Sequence, residues 1–428
     1  MKHSVREVTL KNGAKGLLIH VPDAPVMDFD IVFRAGHRYC PEDKIELAHL
    51  MEHMVLGANT KYRSSPRFNQ ELELNGAYSN AYTSSNYVGY VAQCADFEWD
   101  RVLDLLVLAI GNPIFPGEEF KSEFGNVEEE LVDRSNNHSV ALMFAMANKN
   151  GTGRYNYQKG KKSLKNITLE DVKKYHKKTH FAGNMRFVIA GNVHSRSKQI
   201  IRKLNSLNLE PGGERFTIGK ANVSSIGEPV IVKRSSVPNI FFRFETYKDK
   251  MMPQAERDAL WIMNKVMNEG YTSRILGKAR DQGLVYWVDA GRGFGHDHTV
   301  WMVGAQVSKK NIEALFDLIV REVRLVLSRG ITQNELKHAK QKALGQHQRD
   351  LQTVGSLVNG YGGWYFDDDF IDHHDSYPDR IKAVTRTRAQ AAFQKVFEEQ
   401  TWSLGFLGND IDKELADKLY SKMSTIWQ

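Results

Sequence analysis

An α+β fold of two homologous domains, each an antiparallel-rich sheet packed with helices, follows from three features of the sequence. The chain has 428 residues, more than one ordinary hydrophobic core accommodates. Short alternating stretches of strand type are interleaved with longer stretches of helical spacing in both halves. A Pro/Gly-rich stretch at 208–219, centred on Pro211-Gly212-Gly213, separates the halves, and beyond it strands and helices return in a similar order. The domains expected are 1–210, a linker at 211–228, and 229–428.

Taken in order, Val8-Thr9-Leu10, the Asn12-Gly13 turn and residues 16–20 read as a β-hairpin. Residues 27–33 (MDFDIVF) alternate like a half-buried strand, and 45–56 have helical spacing that stops at Gly57. Residues 78–93, rich in Tyr, Thr and Val, give two extended pieces, followed by an apolar-striped helix at 99–110 and an acidic one at 116–133. A short helix at 169–177 is opened by Thr168 as its N-cap, and 184–190 (NMRFVIA) is a buried strand. The second half gives strands at 229–233, 239–244, 284–290, 300–307 and 402–406, with helices at 255–276, 310–327 and 335–351.

Composition narrows the function class. Hydrophobic residues make up 41% and charged residues 25%, so the chain is globular rather than disordered or fibrous. The net charge is +7, but no dense Arg-rich block with interleaved aromatics accompanies it, so no nucleic-acid partner is expected. No apolar run is long enough to span a bilayer and the first residues lack an apolar leader core, so a soluble, cytoplasmic protein without a membrane partner is expected. Cys40 and Cys94, the two cysteines, cannot build a disulfide framework or a Cys-based metal site.

The chemistry is concentrated in His49-Leu50-Met51-Glu52-His53. His49 and His53 are four apart, so on a helix their imidazoles stack one turn apart on one face and can share a Zn2+ ion. Glu52 lies beside that face, where a carboxylate can take a proton from the attacking water. This is the inverted form of the His-Glu-x-x-His arrangement. Zinc needs a third protein ligand, and the acidic stretch offers Glu118, Glu119, Glu123, Glu128, Glu129, Glu130 and Asp133, most of them read as a solvated face. Glu123 and Glu130 are seven apart and share a face, so one can ligate while the other orients a ligand histidine.

With these residues in place, the chain resembles the pitrilysin/insulinase family of metallopeptidases. The matching signature is HLMEH, a Glu 77 positions after the second His (Glu130), and another seven before that (Glu123). The segments 80–90 (NAYTSSNYVGY), 103–115 and 167–193 are similar to the family as well. The resemblance implies zinc held by His49, His53 and Glu130, Glu52 as the catalytic base, and Glu123 behind a ligand. It further implies an extended peptide substrate beside the strand that carries Asn80, Ala81, Tyr82 and Thr83. In the second half 272–288 (TSRILGKARDQGLVYWV) resembles the family's Arg/Tyr segment, with Arg280 and Tyr286 as the matches. Members usually place the Tyr seven after the Arg; here it is six, so Lys278 is an alternative to Arg280. Tyr286 is expected to hydrogen-bond the developing oxyanion. The second half carries no second His-x-x-Glu-His, as a degenerate repeat should.

The function implied is a zinc-dependent endopeptidase acting on peptides or unstructured polypeptides. The alternatives are a peptide-binding or scaffold subunit without catalysis, and a maturation protease dedicated to one precursor. Longer family members carry four such domains, so a two-domain chain is expected to form a homodimer, or a heterodimer with a related subunit. Five further features carry weaker readings. His176 and His180, flanked by Lys173, Lys174, Lys177 and Lys178, are expected at a solvated helix end. His296-Asp297-His298 and His373-His374-Asp375 read as turns, Asp367-Asp368-Asp369 lacks the spacing of a Ca2+ loop, and Cys40 is read as structural.

Overall fold

The structure is a computed structural model that describes all residues except Arg154, Gly295 and His296; the His296 of the second candidate group therefore lies outside the described residues. Two compact units are present, and both are discontinuous in sequence: 1–134 with 157–218 and 348–373, and 135–156 with 219–347 and 374–428. Contiguous halves were the expectation.

The first unit is built on a sheet ordered β1-β2-β6-β3-β5-β4. Its strands are β1 (Ser4–Thr9), β2 (Lys15–His20), β3 (Val26–Phe33), β4 (Tyr78–Thr83), β5 (Val88–Ala95) and β6 (Met185–Gly191). The hairpin pairs Thr9 with Lys15 across the Asn12-Gly13 turn, where Gly13 supplies a φ of 97°. β2 and β6 run parallel and the other neighbours antiparallel. The second unit has β7 (Val230–Lys233), β8 (Ile240–Lys248), β9 (Val288–Phe294), β10 (Thr299–Val307) and β11 (Thr401–Gly408), ordered β7-β11-β8-β10-β9 with β7 and β11 parallel. That order and its parallel pair repeat β2-β6-β3-β5-β4 strand for strand, which is the duplication the sequence pattern suggested.

Each sheet is covered on both faces. β3 sends Phe29, Ile31 and Phe33 into the main core of the first unit, while Val32 joins Leu17, Ile19, Val188 and Ala190 on the opposite face. That second face is closed by helix Val354–Asp368 through Leu357, Val358, Tyr361 and Tyr365. In the second unit helix His138–Asn150 does the same, packing Leu142 and Met146 on Val230 and Leu407. The cause is visible in the strands: β6 is buried at every position, as a strand apolar on both faces must be.

Two boundaries moved. The helix expected through 276 ends at Asn268, because Gly270 takes a φ of 90° and the chain folds back, Arg274 N–H donating to Val266 O and Ile275 N–H to Met267 O. The linker is not loose at its start: Gly183 N–H donates to Gly212 O and Gly212 N–H to Asn12 O, which docks it on the first unit.

His176 and His180 are not solvated. They lie on the inward face of helix Leu169–Thr179 and at its C-cap, and the four lysines take the outward face. The rings stack 4.3 Å apart, and His180 is sandwiched against Phe33 at 4.2 Å. His176 Nε2 meets Ile110 O at 3.2 Å and His180 Nε2 meets Tyr90 Oη at 2.9 Å, so their nitrogens are engaged separately rather than converging on an ion. Burial lowers both pKa values, that of His176 to about 4. An unfolded chain takes up these protons near pH 6.5, the folded one only well below it, so stability present above pH 6.5 is lost as the pH falls. Between pH 7.5 and 4.5 in chelator, urea unfolding should show the wild type losing about 2–3 kcal/mol more than His176→Gln. Equal losses would remove His176 as the cause.

Candidate metal centre

The motif sits on helix Leu47–Val55. Leu47, Leu50, Met51, Met54 and Val55 pack into the core, which turns His49, Glu52 and His53 towards an open cleft of about 430 Å3. The helix stops where Gly57 passes Ser65: a Cβ there would stand 2.7 Å from Ser65 Oγ. The acidic helix, Gly117–Ser135, anchors itself through Phe120, Phe124, Val127 and Leu131 at helical spacing. The same period carries Glu119, Glu123 and Glu130 on a neighbouring stripe that faces the motif helix. Glu119 is part of the joint and not of a solvated face, since Oε1 accepts from Ser65 N–H at 2.7 Å and Oε2 from Ser65 Oγ at 2.7 Å.

Three atoms converge. His49 Nε2 lies 3.1 Å from Glu130 Oε2, His53 Nε2 lies 3.3 Å from the same oxygen, and the two Nε2 atoms are 3.2 Å apart. A tetrahedral ion bonded at about 2.0–2.1 Å would space its ligand atoms about 3.3–3.4 Å apart. The triangle therefore has the size a zinc ion requires, and the donor set of two imidazoles and a carboxylate has the right chemistry. The outer nitrogens fix the orientation: His49 Nδ1 is 3.0 Å from Glu46 Oε2, and His53 Nδ1 is 3.0 Å from Glu123 Oε2. With Nδ1–H donating to a carboxylate on each ring, both Nε2 lone pairs point at the shared centre. Asn126 holds Glu123 at 3.2 Å, and Arg134 pairs with Glu130.

Electrostatics agree with the geometry. Burial works to lower His53, but hydrogen bonds to Glu123 and Glu130 outweigh it and push its pKa up to about 10. Glu130 is held well below the usual carboxylate range, first by His49 and then by His53. A field that favours positive charge on both imidazoles also favours a dication between them. Glu52 is raised by burial, against the opposing pull of His53 and His49, and accepts from Thr83 Oγ1 at 3.2 Å. Its carboxylate lies within 4.8 Å of the two imidazole donors and accepts from Thr83, beside the triangle of His49, His53 and Glu130.

β4 is the outer strand of its sheet and forms one wall of the cleft. Asn80 and Ala81 line the cleft and Thr83 reaches Glu52, but Tyr82 turns to the opposite face and points its hydroxyl at Asp30, 3.4 Å away. Of the four expected substrate contacts, Tyr82 can offer only its backbone. Arg280 and Tyr286 belong to the second unit, where they meet each other: Arg280 Nη1 donates to Tyr286 O at 2.6 Å and its guanidinium lies 4.9 Å over the rings of Tyr286 and Tyr271. The alternative cation, Lys278, is paired with buried Glu322 at 2.7 Å. The helix that follows β8, Gln254–Asn268, occupies the place of the motif helix in the repeat and contains no histidine. Sequence reasoning missed Glu46, whose signal was an acid three residues before the first histidine on the same helical face. Asp369 of the acidic triplet forks onto Arg186, at 2.6 and 2.8 Å, and Cys40 is buried beside Tyr175. Among the described residues no helix is long and apolar enough to cross a membrane.

Comparison with known proteins gives the same reading of the fold. Residues 16–159 match the family model of insulinase (peptidase family M16), and residues 166–343 match that of the peptidase M16 inactive domain. An uncharacterized zinc protease of Rickettsia felis is 23% identical over 79% of this chain and 82% of its own length. The zinc protease PqqE of Helicobacter pylori is 24% identical over 85% and 83%. A third relative, a non-peptidase homologue from Helicobacter pylori, is 23% identical over 80% of this chain and 79% of its own. Among solved structures, a protease from Helicobacter pylori superposes with a TM-score of 0.83 at 20% identity, over 95% of this chain and all of that one. Pitrilysin gives 0.76 at 16% identity, this chain covering 48% of its length. The first match spans the motif helix and the acidic helix, the second runs from residue 166 of the first unit into the second, and the chain belongs to the insulinase family of peptidases, M16.

Proposed function

We propose that the chain is a zinc-dependent endopeptidase that cleaves peptides or unstructured polypeptides. The observation that carries this is the convergence of His49 Nε2, His53 Nε2 and Glu130 Oε2 at tetrahedral spacing, with Glu52 alongside. Zinc held by those three residues would acidify the attacking water and polarise the scissile carbonyl. Glu52 takes the water's proton and hands it to the leaving amine. The peptide lies extended along the open edge of β4, held mainly through its backbone, which leaves side-chain selectivity broad. Glu123 keeps His53 in its tautomer.

The reaction also needs a donor for the oxyanion, and Tyr286 is the residue assigned to it, with Arg280 beside it. Pitrilysin is about twice the length of this chain. A second copy, or a related subunit, supplies the missing half, so the working form is a dimer. The likeness to a non-peptidase homologue favours a second reading, a binder without catalysis. Digestion of a mixed peptide library separates the two. Cleavage should stop on chelation and return with added zinc; a purified chain that takes up no zinc and cuts nothing in the library would leave the binder, and one that carries zinc and cuts nothing would leave a protease dedicated to one precursor.

A further inference from the structure

We infer that Glu46 is a positioning residue of the metal centre, holding His49 in the tautomer that presents Nε2 to the ion. The inference rests on the zinc reading of the same site.

Glu46 is fully buried, and a buried carboxylate without compensation is costly. It stands at the N-cap of the motif helix, where the dipole and the unpaired amides of the first turn favour negative charge. Its backbone N–H is itself held by Ser163 Oγ at 3.2 Å. From this anchored place Oε2 reaches His49 Nδ1 at 3.0 Å. An i to i+3 pair on one helix sets this geometry locally. His53, by contrast, receives its carboxylate from another helix, since Glu123 lies 70 residues away in sequence and is partly exposed. The two ligand histidines are thus backed by matching carboxylates of different origin. Helix Leu47–Val55 and its cap orient one imidazole unaided, and docking of the acidic helix delivers both the second backing carboxylate and the ligand Glu130.

Two variants test this. Glu46→Ala removes the acceptor; Glu46→Gln keeps an oxygen that can accept from Nδ1–H but removes the charge. Zinc affinity, read by competition with a chromophoric chelator, should weaken about 10–100-fold in Glu46→Ala and by less in Glu46→Gln. In zinc-loaded protein, the His49 Nδ1–H proton should give a downfield, slowly exchanging NMR signal in wild type and Glu46→Gln, and lose that protection in Glu46→Ala. A merely structural residue would not move that signal. If Glu46→Ala does not fold, Glu46→Leu takes its place, and wild-type zinc affinity with the His49 signal retained there would overturn the inference. Tight zinc binding by wild type and both variants alike would overturn this role and leave the peptidase reading standing. Wild-type protein that takes up no zinc would overturn both.

Discussion

Glu52→Gln should retain its zinc and lose peptide cleavage, with kcat falling by about 10²–10⁴. The substitution preserves shape, and the amide oxygen can still accept from Thr83 Oγ1, so the loop joining β4 and β5 keeps its tie to the motif helix. What disappears is the proton acceptor. Glu52 suits that task because burial raises its affinity for a proton while two imidazoles one turn around the same helix moderate the rise. The metal content, measured on the purified variant, should match wild type because the His49, His53 and Glu130 donors are untouched. A variant that turns over within tenfold of wild type would require another base. One that has lost its zinc would make Glu52 a ligand in place of Glu130.

Mixing an inactive His49→Ala chain with an inactive Tyr286→Phe chain should restore cleavage to about a quarter of the wild-type level. In a homodimer that shares sites across its twofold axis, random exchange makes half of the dimers mixed. Each mixed dimer then has one site with both an intact metal helix and an intact tyrosine. Tyr286 is 82% exposed, so its phenol is available to a neighbouring chain, and replacing it with Phe removes only the hydroxyl. Activity should track the exchange time and be absent from mixtures cross-linked before combination. Mixtures that stay inactive after demonstrated exchange would exclude the shared site in a homodimer.

Much of the site was readable because its information is local or periodic. His49 and His53 announce themselves by a spacing of four on a helix whose apolar stripe points the other way, and Glu123 and Glu130 by a spacing of seven. Glu119 could not be told from the other acids, because its role depends on where Ser65 comes to rest. The outward lysines around His176 and His180 suggested water, yet four outward charges and two inward histidines satisfy the same helical period. The covering helix Val354–Asp368 left no helical signature, since Gly355, Gly360, Gly362 and Gly363 all argue against a helix. Packing explains at least one of them: a Cβ on Gly355 would lie 3.0 Å from Asp28 Oδ2 and 2.9 Å from Gln93 Nε2. Which face of its strand Tyr82 takes was not legible, since alternation alone does not say which face meets the cleft.

The reciprocal borrowing of helices has a consequence for synthesis. When residues 1–218 have left the ribosome, the first sheet is complete as a sheet, but Leu17, Ile19, Val32 and Val188 have no roof until residues 354–368 emerge. For that interval the nascent protein carries a greasy plane beside a finished hairpin, the kind of surface that chaperones capture and that aggregates when left unattended. An early stop after the connector thus yields no free-standing first unit, because the last piece of its core is encoded about 130 residues further on.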